Sequence, residues 1–508
     1  MSRSELLLAT GGTVLLACGA MMVAHGQGPM RDLVLDGGPA CPAAPVRVLE
    51  PQGIPARGSV VMFHGLAANH VVMLTPARQF AAAGFHVYIP DLPGHGANPA
   101  PFSFGAAEAC AKGLLAALER RGDIAATRTV LLGHSMGAAL VVRLADDFLA
   151  AGTIAVATAP LVRPHRIPAN LLLVAPLLDM WAVLRQEREL ASAAGADRFS
   201  SDDFRQSRAF RLQYVPWGSH AGVLFEPGAE RAMVQWALRA VGQTNVFPAL
   251  DFWALYGSGF GLLGILLMVP AAASTAARVA GFPASAESTA PPPTAPSAAL
   301  SLAAWVGATA LAAAVATPWT PLKPLHLYGT AYFASVLLLS GVPLALLLAV
   351  RRPLPARAAY GAVAGAALAV ATVLAVAGCF SWQVSEWSIA PRWARVPFLA
   401  LALLPICYAE ELALGNPLPN RPLGGPRRFS LFLALRTIVW LAMLAAWWSG
   451  AASDALLVVI FVFFLALLSV GQRLGADALR RRTASPASAA VFSAILAAWF
   501  LAATFPLA

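Results

Sequence analysis

The chain has 508 residues, room for about three domains at roughly 100–200 residues each. Its apolar residues make up 58% and its charged ones only 12%, against roughly 45–50% and about 25% in an ordinary soluble domain. That excludes both a disordered chain and a wholly soluble globule, so much of the chain must have lipid as its solvent. The formal charge of +10 comes from short Arg runs beside long apolar stretches, the pattern that sets membrane orientation. No basic-aromatic module accompanies it, so no nucleic-acid partner is expected. The five cysteines, at 18, 41, 110, 379 and 407, show no CxxC spacing, which argues against a zinc site and a disulfide-dense scaffold.

In chain order, residues 4–24 are apolar behind Arg3 and long enough to span a bilayer. The N-terminal region 1–30 is read as an uncleaved anchor, with a cleaved signal or lipidation at Cys18 (Leu15-Leu16-Ala17-Cys18 resembles a lipobox) as the alternatives. Residues 45–243 hold most of the charge. Strands are expected at 59–64, 86–90, 129–133, 153–158, 170–175 and 211–215, with helices near 74–83, 103–121, 136–150, 183–194 and 228–241. Apolar strands alternating with amphipathic helices imply a mostly parallel sheet covered on both faces. Residues 251–508 are nearly all apolar and predict about eight spans, near 252–272, 299–317, 327–350, 358–379, 395–413, 430–449, 454–470 and 487–506. A Pro/Ser/Ala-rich loop is expected at 281–298.

With a cytoplasmic N-terminus, Arg278, Arg351, Arg352, Arg357, Arg421, Arg427, Arg428, Arg473, Arg480, Arg481 and Arg482 all fall on the cytoplasmic side. Only Lys323, Arg392 and Arg395 fall outside, which predicts an inner-membrane protein with the 45–243 domain extracytoplasmic. In that oxidising compartment Cys41 and Cys110 can pair. Since pairing cannot be deduced from sequence, two separate buried thiols is the reading taken.

The run from Val130 to Ala139 is an apolar strand, then Gly133-His134-Ser135-Met136-Gly137, then a small-residue helix start. In that strand–turn–helix setting G-x-S-x-G marks a nucleophile elbow, whose strained turn lifts the Ser135 hydroxyl above the sheet. The strand at 59–64 ends in His64-Gly65-Leu66, a turn that leaves the N–H of Leu66 to join that of Met136 as an oxyanion hole. His64 is read as structural. Asp91 and His95, in Pro90-Asp91-Leu92-Pro93-Gly94-His95-Gly96, are read as loop architecture rather than catalysis.

Together HGL at 64–66, PDLPGHG at 90–96 and GHSMG at 133–137 resemble the α/β-hydrolase fold, within its esterase/lipase-type members. The resemblance covers about 45–243 and implies the triad order Ser, acid, His. Asp179 follows the strand at 170–175, and His220, the only His between Asp179 and the next span, follows the strand at 211–215. The expected triad is therefore Ser135, Asp179 and His220, with Asp202 and Asp203 as rival acids in a solvated turn or helix cap. Such a triad forms and hydrolyses an acyl-enzyme without metal or organic cofactor. Only residues 159–169 separate the strands where larger members carry a cap, so little or no cap is expected.

The expected function is a membrane-anchored serine hydrolase acting on a carboxylic ester, with lipid or cell-envelope acyl esters as one substrate class. The alternative is a transporter or membrane-complex component with a non-catalytic hydrolase-like outer domain. In the spans, Glu410 and Glu411 are expected to pair with Arg436 as a structural ion pair. Trp382, Trp387 and Trp393 are expected in an outer aromatic belt.

Overall fold

The computed structural model describes residues 3–51, 53–160, 165–195, 200–243, 249–283, 297–350, 357–380, 389–415, 417 and 425–508. The chain forms two compact units, with boundaries at Ala20/Met21, Ser258/Gly259 and Phe505/Pro506. Helix α1, Arg3–His25, runs across the first boundary.

The sheet unit contains β1 (Met30–Leu35), β2 (Ala44–Leu49), β3 (Gly58–Phe63), α2 (Leu74–Ala82), β4 (Phe85–Pro90) and α3 (Phe104–Arg120). It continues with β5 (Thr129–His134), α4 (Met136–Leu144), β6 (Gly152–Val156), β7 (Leu171–Leu178), α5 (Trp181–Ala193), β8 (Ser200–Ser201), β9 (Phe210–Ser219) and α6 (Pro227–Ala240). The nine strands form one sheet in the order β1-β2-β4-β3-β5-β6-β7-β9-β8. β4, β3, β5, β6, β7 and β9 are parallel to their neighbours in that run, whereas β1, β2 and β8 join antiparallel at the edges. This is the α/β-hydrolase fold expected from the motifs. The sheet starts earlier than expected, at Met30, because β1 and the first residue of β2 precede residue 45.

The two-residue period of the strands explains the double-sided core. Val130, Leu132, Ile154, Leu172 and Val174 pack against Phe80 of α2 and Met233, Val234 and Trp236 of α6. Their neighbours Ala155, Leu171, Leu173 and Ala175 point the other way, onto Ala138 and Val142 of α4 and Leu190 and Ala191 of α5. Among the described residues no helix lies between β6 and β7, so no cap domain is built there.

Cys41 and Cys110 form a disulfide, which corrects the expectation of two separate thiols. The loop after β1 lies directly on α3: a Cβ on Gly113 would sit 2.0 Å from the carbonyl oxygen of Gly37. That approach brings together two sulfurs 69 residues apart in sequence.

The other unit is all-helical: α7 (Trp253–Val279), α8 (Ala298–Ala316), α9 (Thr330–Ala349), α10 (Ala358–Phe380), α11 (Ala390–Trp393), α12 (Val396–Leu414), α13 (Pro426–Trp448), α14 (Leu456–Ile460), α15 (Val462–Thr483) and α16 (Pro486–Thr504), with the start of α1. Among the described residues eight helices are long and apolar enough to cross a membrane, α1 included. The span expected at 454–470 is not one of them. It breaks at Phe461 into α14 and α15, and α15 carries Arg473, Asp477, Arg480, Arg481 and Arg482 in its later turns. Helices α1 and α7 touch through glycines, since a Cβ on Gly12 would meet the Gly264 oxygen at 2.7 Å. Close small-residue crossings of this kind are how helices associate in lipid.

Of the ion pairs expected in this unit, Glu410 with Arg436 forms and Glu411 with Arg436 does not. Arg436 takes only Glu410, at 2.7 Å. Glu411 instead meets Arg473 (2.7 Å), Arg428 (3.3 Å) and Arg480 (3.6 Å), and Asp477 joins Arg473 and Arg428. These three Arg residues, expected on the cytoplasmic side, are buried, gathered around the carboxylates of Glu411 on α12 and Asp477 on α15. Arg392 is likewise buried, donating to the carbonyls of Ala502 and Phe505. The Pro-rich loop at 284–296, Trp382 and Trp387 lie outside the described residues.

Candidate active site

Ser135 sits between β5 and α4 with φ 55° and ψ −114°. A non-glycine residue held at positive φ is strained, and such strain persists only where the surroundings enforce it. Here the flanking glycines make the turn possible. A Cβ on Gly133 would lie 2.0 Å from the Gly137 oxygen, and one on Gly137 would lie 2.0 Å from the Phe63 oxygen. The Ser135 N–H donates to the Val156 carbonyl of the next strand (2.9 Å), which pins the turn to the sheet.

The chain reaches the serine again twice, each time from the C-terminal end of a parallel strand. Asp179 follows β7 and His220 follows β9, and these strands are hydrogen-bonded neighbours. His220 Nδ1 lies 2.8 and 3.0 Å from the Asp179 carboxylate oxygens, and its Nε2 lies 2.9 Å from Ser135 Oγ. A carboxylate only accepts, so Nδ1 carries the proton and donates it. Nε2 is then left with its lone pair toward the serine hydroxyl. The Asp179 side chain is fully buried and accepts a further bond from the Met180 N–H, whereas His220 is 18% exposed. Thus all three expected residues come together. The rivals do not, since Asp202 pairs with Arg239 and Arg211, and Asp203 with Arg208.

The Gly65–Ala68 turn closes through Ala68 N–H to Gly65 O (3.2 Å), with Ala67 at φ 56°. A Cβ on Gly65 would come 3.2 Å from Ser135 Cβ, so this turn lies against the elbow. Met136 is the first residue of α4, where a backbone N–H has no partner inside the helix. Among the described residues neither the Leu66 nor the Met136 N–H finds another acceptor.

Buried histidines hold this turn. His64 Nδ1 donates to Gly65 O (2.8 Å) and its Nε2 accepts from Leu92 N–H (3.0 Å). Burial pushes its pKa down, against an opposing pull from Asp91. His95 Nδ1 donates to Pro93 O and its Nε2 accepts from Ala67 N–H (3.1 Å). Asp91 accepts from the N–H groups of His70 (2.8 Å) and Ala97 (2.9 Å) and from the His70 ring. Burial alone would raise its pKa, but the His70 ring and these bonds hold it well below the usual carboxylate range. All three act as loop architecture, as expected.

The sequence reading missed His134. Its Nε2 lies 2.8 Å from the His220 carbonyl oxygen, so it must donate there. Burial and the neighbouring His220 push its pKa down to about 3, which keeps the ring neutral. A Cβ on Gly65 would sit 3.0 Å from its Nδ1. His134 therefore braces both the base and the turn. Its place beside the serine was the available signal, but its partner is 86 residues away.

A serine on a strained elbow, linked through an imidazole to a buried carboxylate at the C-terminal edge of this sheet, defines a serine-type α/β hydrolase. Residues 54–209 match the family described as serine aminopeptidase, S33. The sheet unit is also similar to solved structures. An a/b serine hydrolase without lid from Xanthomonas campestris is 18% identical, covering 41% of this chain and 94% of its own, with TM-score 0.33. A monoacylglycerol lipase from Paleococcus ferrophilus is 19% identical, covering 39% and 99%, with TM-score 0.31. A bacterial heroin esterase is 16% identical, covering 44% and 87%, with TM-score 0.32. No curated protein matches the chain.

Proposed function

We propose that this protein is a membrane-anchored serine hydrolase that cleaves carboxylic esters with an apolar acyl group. The observation that carries the reading is the hydrogen-bonded chain Asp179–His220–Ser135 on a strained turn. His220 takes the Ser135 proton as the oxygen attacks the ester carbonyl. Asp179 fixes the tautomer and stabilises the imidazolium. The tetrahedral oxyanion is held by the N–H groups of Leu66 and Met136, fixed before substrate arrives. The imidazolium passes its proton to the leaving alcohol. Water, activated by the same base, then releases the acid.

The acyl preference is supported by the rim. Leu177, Leu178 and Trp181 around Asp179, and Trp217 just before His220, are 43%, 60%, 69% and 86% exposed. Four large exposed apolar side chains flanking Asp179 and His220 in the chain offer a landing for hydrocarbon. The S33 family name carries peptide-bond cleavage, and an amide follows the same acyl-enzyme route. The rim bears on the apolar acyl group, and the ester is the reading put to the test.

The N-terminal helix is proposed as a retained anchor, supported by its glycine contact with α7 and by the Glu5–Arg482 ion pair at 2.6 Å. An inner-membrane location with the sheet unit outside is supported by the Arg distribution and by the disulfide. The chain leaves the sheet unit at Ser258 and its last residues rejoin it, Leu507 N–H donating to Gly94 O (2.8 Å). A return to the same side requires an even number of crossings. Of the eight qualifying helices seven come after α1, beginning with α7, which carries the chain out of the sheet unit, so α14 and α15 together make the further crossing.

The test is a p-nitrophenyl ester series with the full chain in detergent, alongside an aminoacyl p-nitroanilide. From acetyl to octanoyl, kcat/KM is expected to rise roughly tenfold, a fraction of the ~0.8 kcal/mol available per buried methylene. Trp217→Ser should flatten that rise. A preference for acetyl esters, or for the anilide, contradicts the reading.

A further inference from the structure

The helical unit contains a cavity of about 200 Å³, walled by α8, α9, α12, α13, α14, α15 and α16. Its lining on α15 alone runs from Val462 to Gln472. Ten residues of helix at 1.5 Å each make that about 15 Å long. An apolar cavity of ~150 Å³ takes a benzene ring. One of this volume stretched over such a length is narrow, shaped for a single alkyl chain. Most of its wall is hydrocarbon, including Phe333, Leu337, Leu403 and Leu465. Leu433 and Val462 line it and are also 43% and 39% exposed, so it reaches the outer surface of the helical unit.

One end is polar. Glu410 receives Arg436 on both carboxylate oxygens, at 2.7 and 3.2 Å, which leaves that pair neutral. The same lining carries Gln472, 1% exposed. Its Nε2 donates to Ser493 O, whereas its Oε1 is buried with no partner among the described residues. Trp305, also 1% exposed and on the lining, has a buried Nε1–H in the same condition. Buried polar atoms are nearly always bonded, and an amide inside a membrane-spanning helix is expensive to leave unmatched. An unmatched acceptor next to a neutral ion pair suits an uncharged head that donates a hydrogen bond.

We propose that this cavity binds one alkyl chain of a hydroxyl-headed amphiphile drawn from the bilayer, its hydroxyl donating to Gln472 Oε1 beside the Glu410–Arg436 pair. Fatty alcohols and monoacylglycerols share that chemistry. The site is separate from the serine and does not rest on the hydrolase reading.

The test uses the full chain as Ser135→Ala, so that an ester probe survives, in lipid nanodiscs. The probe is a monoacylglycerol with a diazirine midway along its chain. Photolabel is expected on peptides spanning Leu433–Trp440 and Val462–Gln472, displaced by unlabelled monoacylglycerol or decanol but poorly by decane. Ala497→Phe, which fills the cavity from α16, should lower that labelling at least about fivefold. Gln472→Leu should weaken displacement by about tenfold, the worth of one hydrogen bond. Label spread over outward positions such as Leu441 and Phe398 and indifferent to Ala497→Phe overturns the site. Equal displacement by decane, or none of the Gln472→Leu effect, overturns the head assignment. Displacement in the unaltered cavity keeps the test valid if a variant fails to fold. Because the two sites share no residue, loss of this labelling and loss of fluorophosphonate labelling at Ser135 are separate results.

Discussion

Asp179 and Glu411 are carboxylates with side chains 0% and 2% exposed, one in each unit of this protein. Asp179 faces one imidazole whose far nitrogen reaches the Ser135 hydroxyl. Glu411 faces three guanidinium groups, which cannot lose a proton. Burial alone therefore does not mark a working acid. In the sheet unit hydrogen bonds run from the carboxylate outward to a hydroxyl near solvent. In the helical unit the carboxylates and guanidinium groups close on one another, while Gln472 Oε1 and Trp305 Nε1 on the cavity lining are among the buried polar atoms left without a partner among the described residues.

Substitutions at four positions sharpen or break this contrast. Asp179→Asn should reduce kcat about 10⁴-fold while leaving the fold intact, since the wrong imidazole tautomer then faces Ser135. Steady-state turnover of an octanoyl ester reads it. Glu411→Ala should do the reverse. By leaving Arg428, Arg473 and Arg480 short of a partner it should lower unfolding stability by roughly 3–5 kcal/mol, seen as a lower thermal midpoint in detergent, with ester turnover retained below that midpoint.

Glu187, which accepts from the Thr158 N–H at 2.7 Å, is a third kind of carboxylate, pushed up from 4.5 to about 8 chiefly by burial. The folded state keeps a proton there that the unfolded chain releases, so the sheet unit loses stability as pH rises from 4.5 toward 8. Glu187→Gln should remove that slope and stabilise at pH 8 by on the order of 2 kcal/mol, measured by denaturation across pH. The smallest effect belongs to His134→Phe, which deletes the bond to the His220 carbonyl. A kcat loss of about tenfold with KM little changed is expected, the worth of one buried hydrogen bond. His134→Gln, which can still donate, should recover part of it.

The six interior strands were legible because each is an apolar run bounded by turn residues, and every expected one forms, although β7 and β9 run on to Leu178 and Ser219, past the expected ends at 175 and 215. The edge strands β1 and β2 were not. Met30–Leu35 is mostly half-exposed and Ala44–Leu49 contains Pro45 and Arg47, so neither shows a buried strand's pattern. Ser135 was carried by its local glycines, and Asp179 and His220 by their places after strands. The brace from His134, the disulfide and the three partners of Glu411 depend on contacts between distant segments that no local pattern encodes. The break at Phe461 was hidden because apolar composition continues through it.

The central claim is that the Ser135 hydroxyl is the nucleophile. Reaction of the full chain with a fluorophosphonate probe, followed by peptide mapping, tests it directly. The account predicts one adduct, on Ser135, absent from Ser135→Ala and strongly slowed in His220→Ala. Undiminished labelling of Ser135→Ala, or no labelling of the unaltered chain, contradicts it.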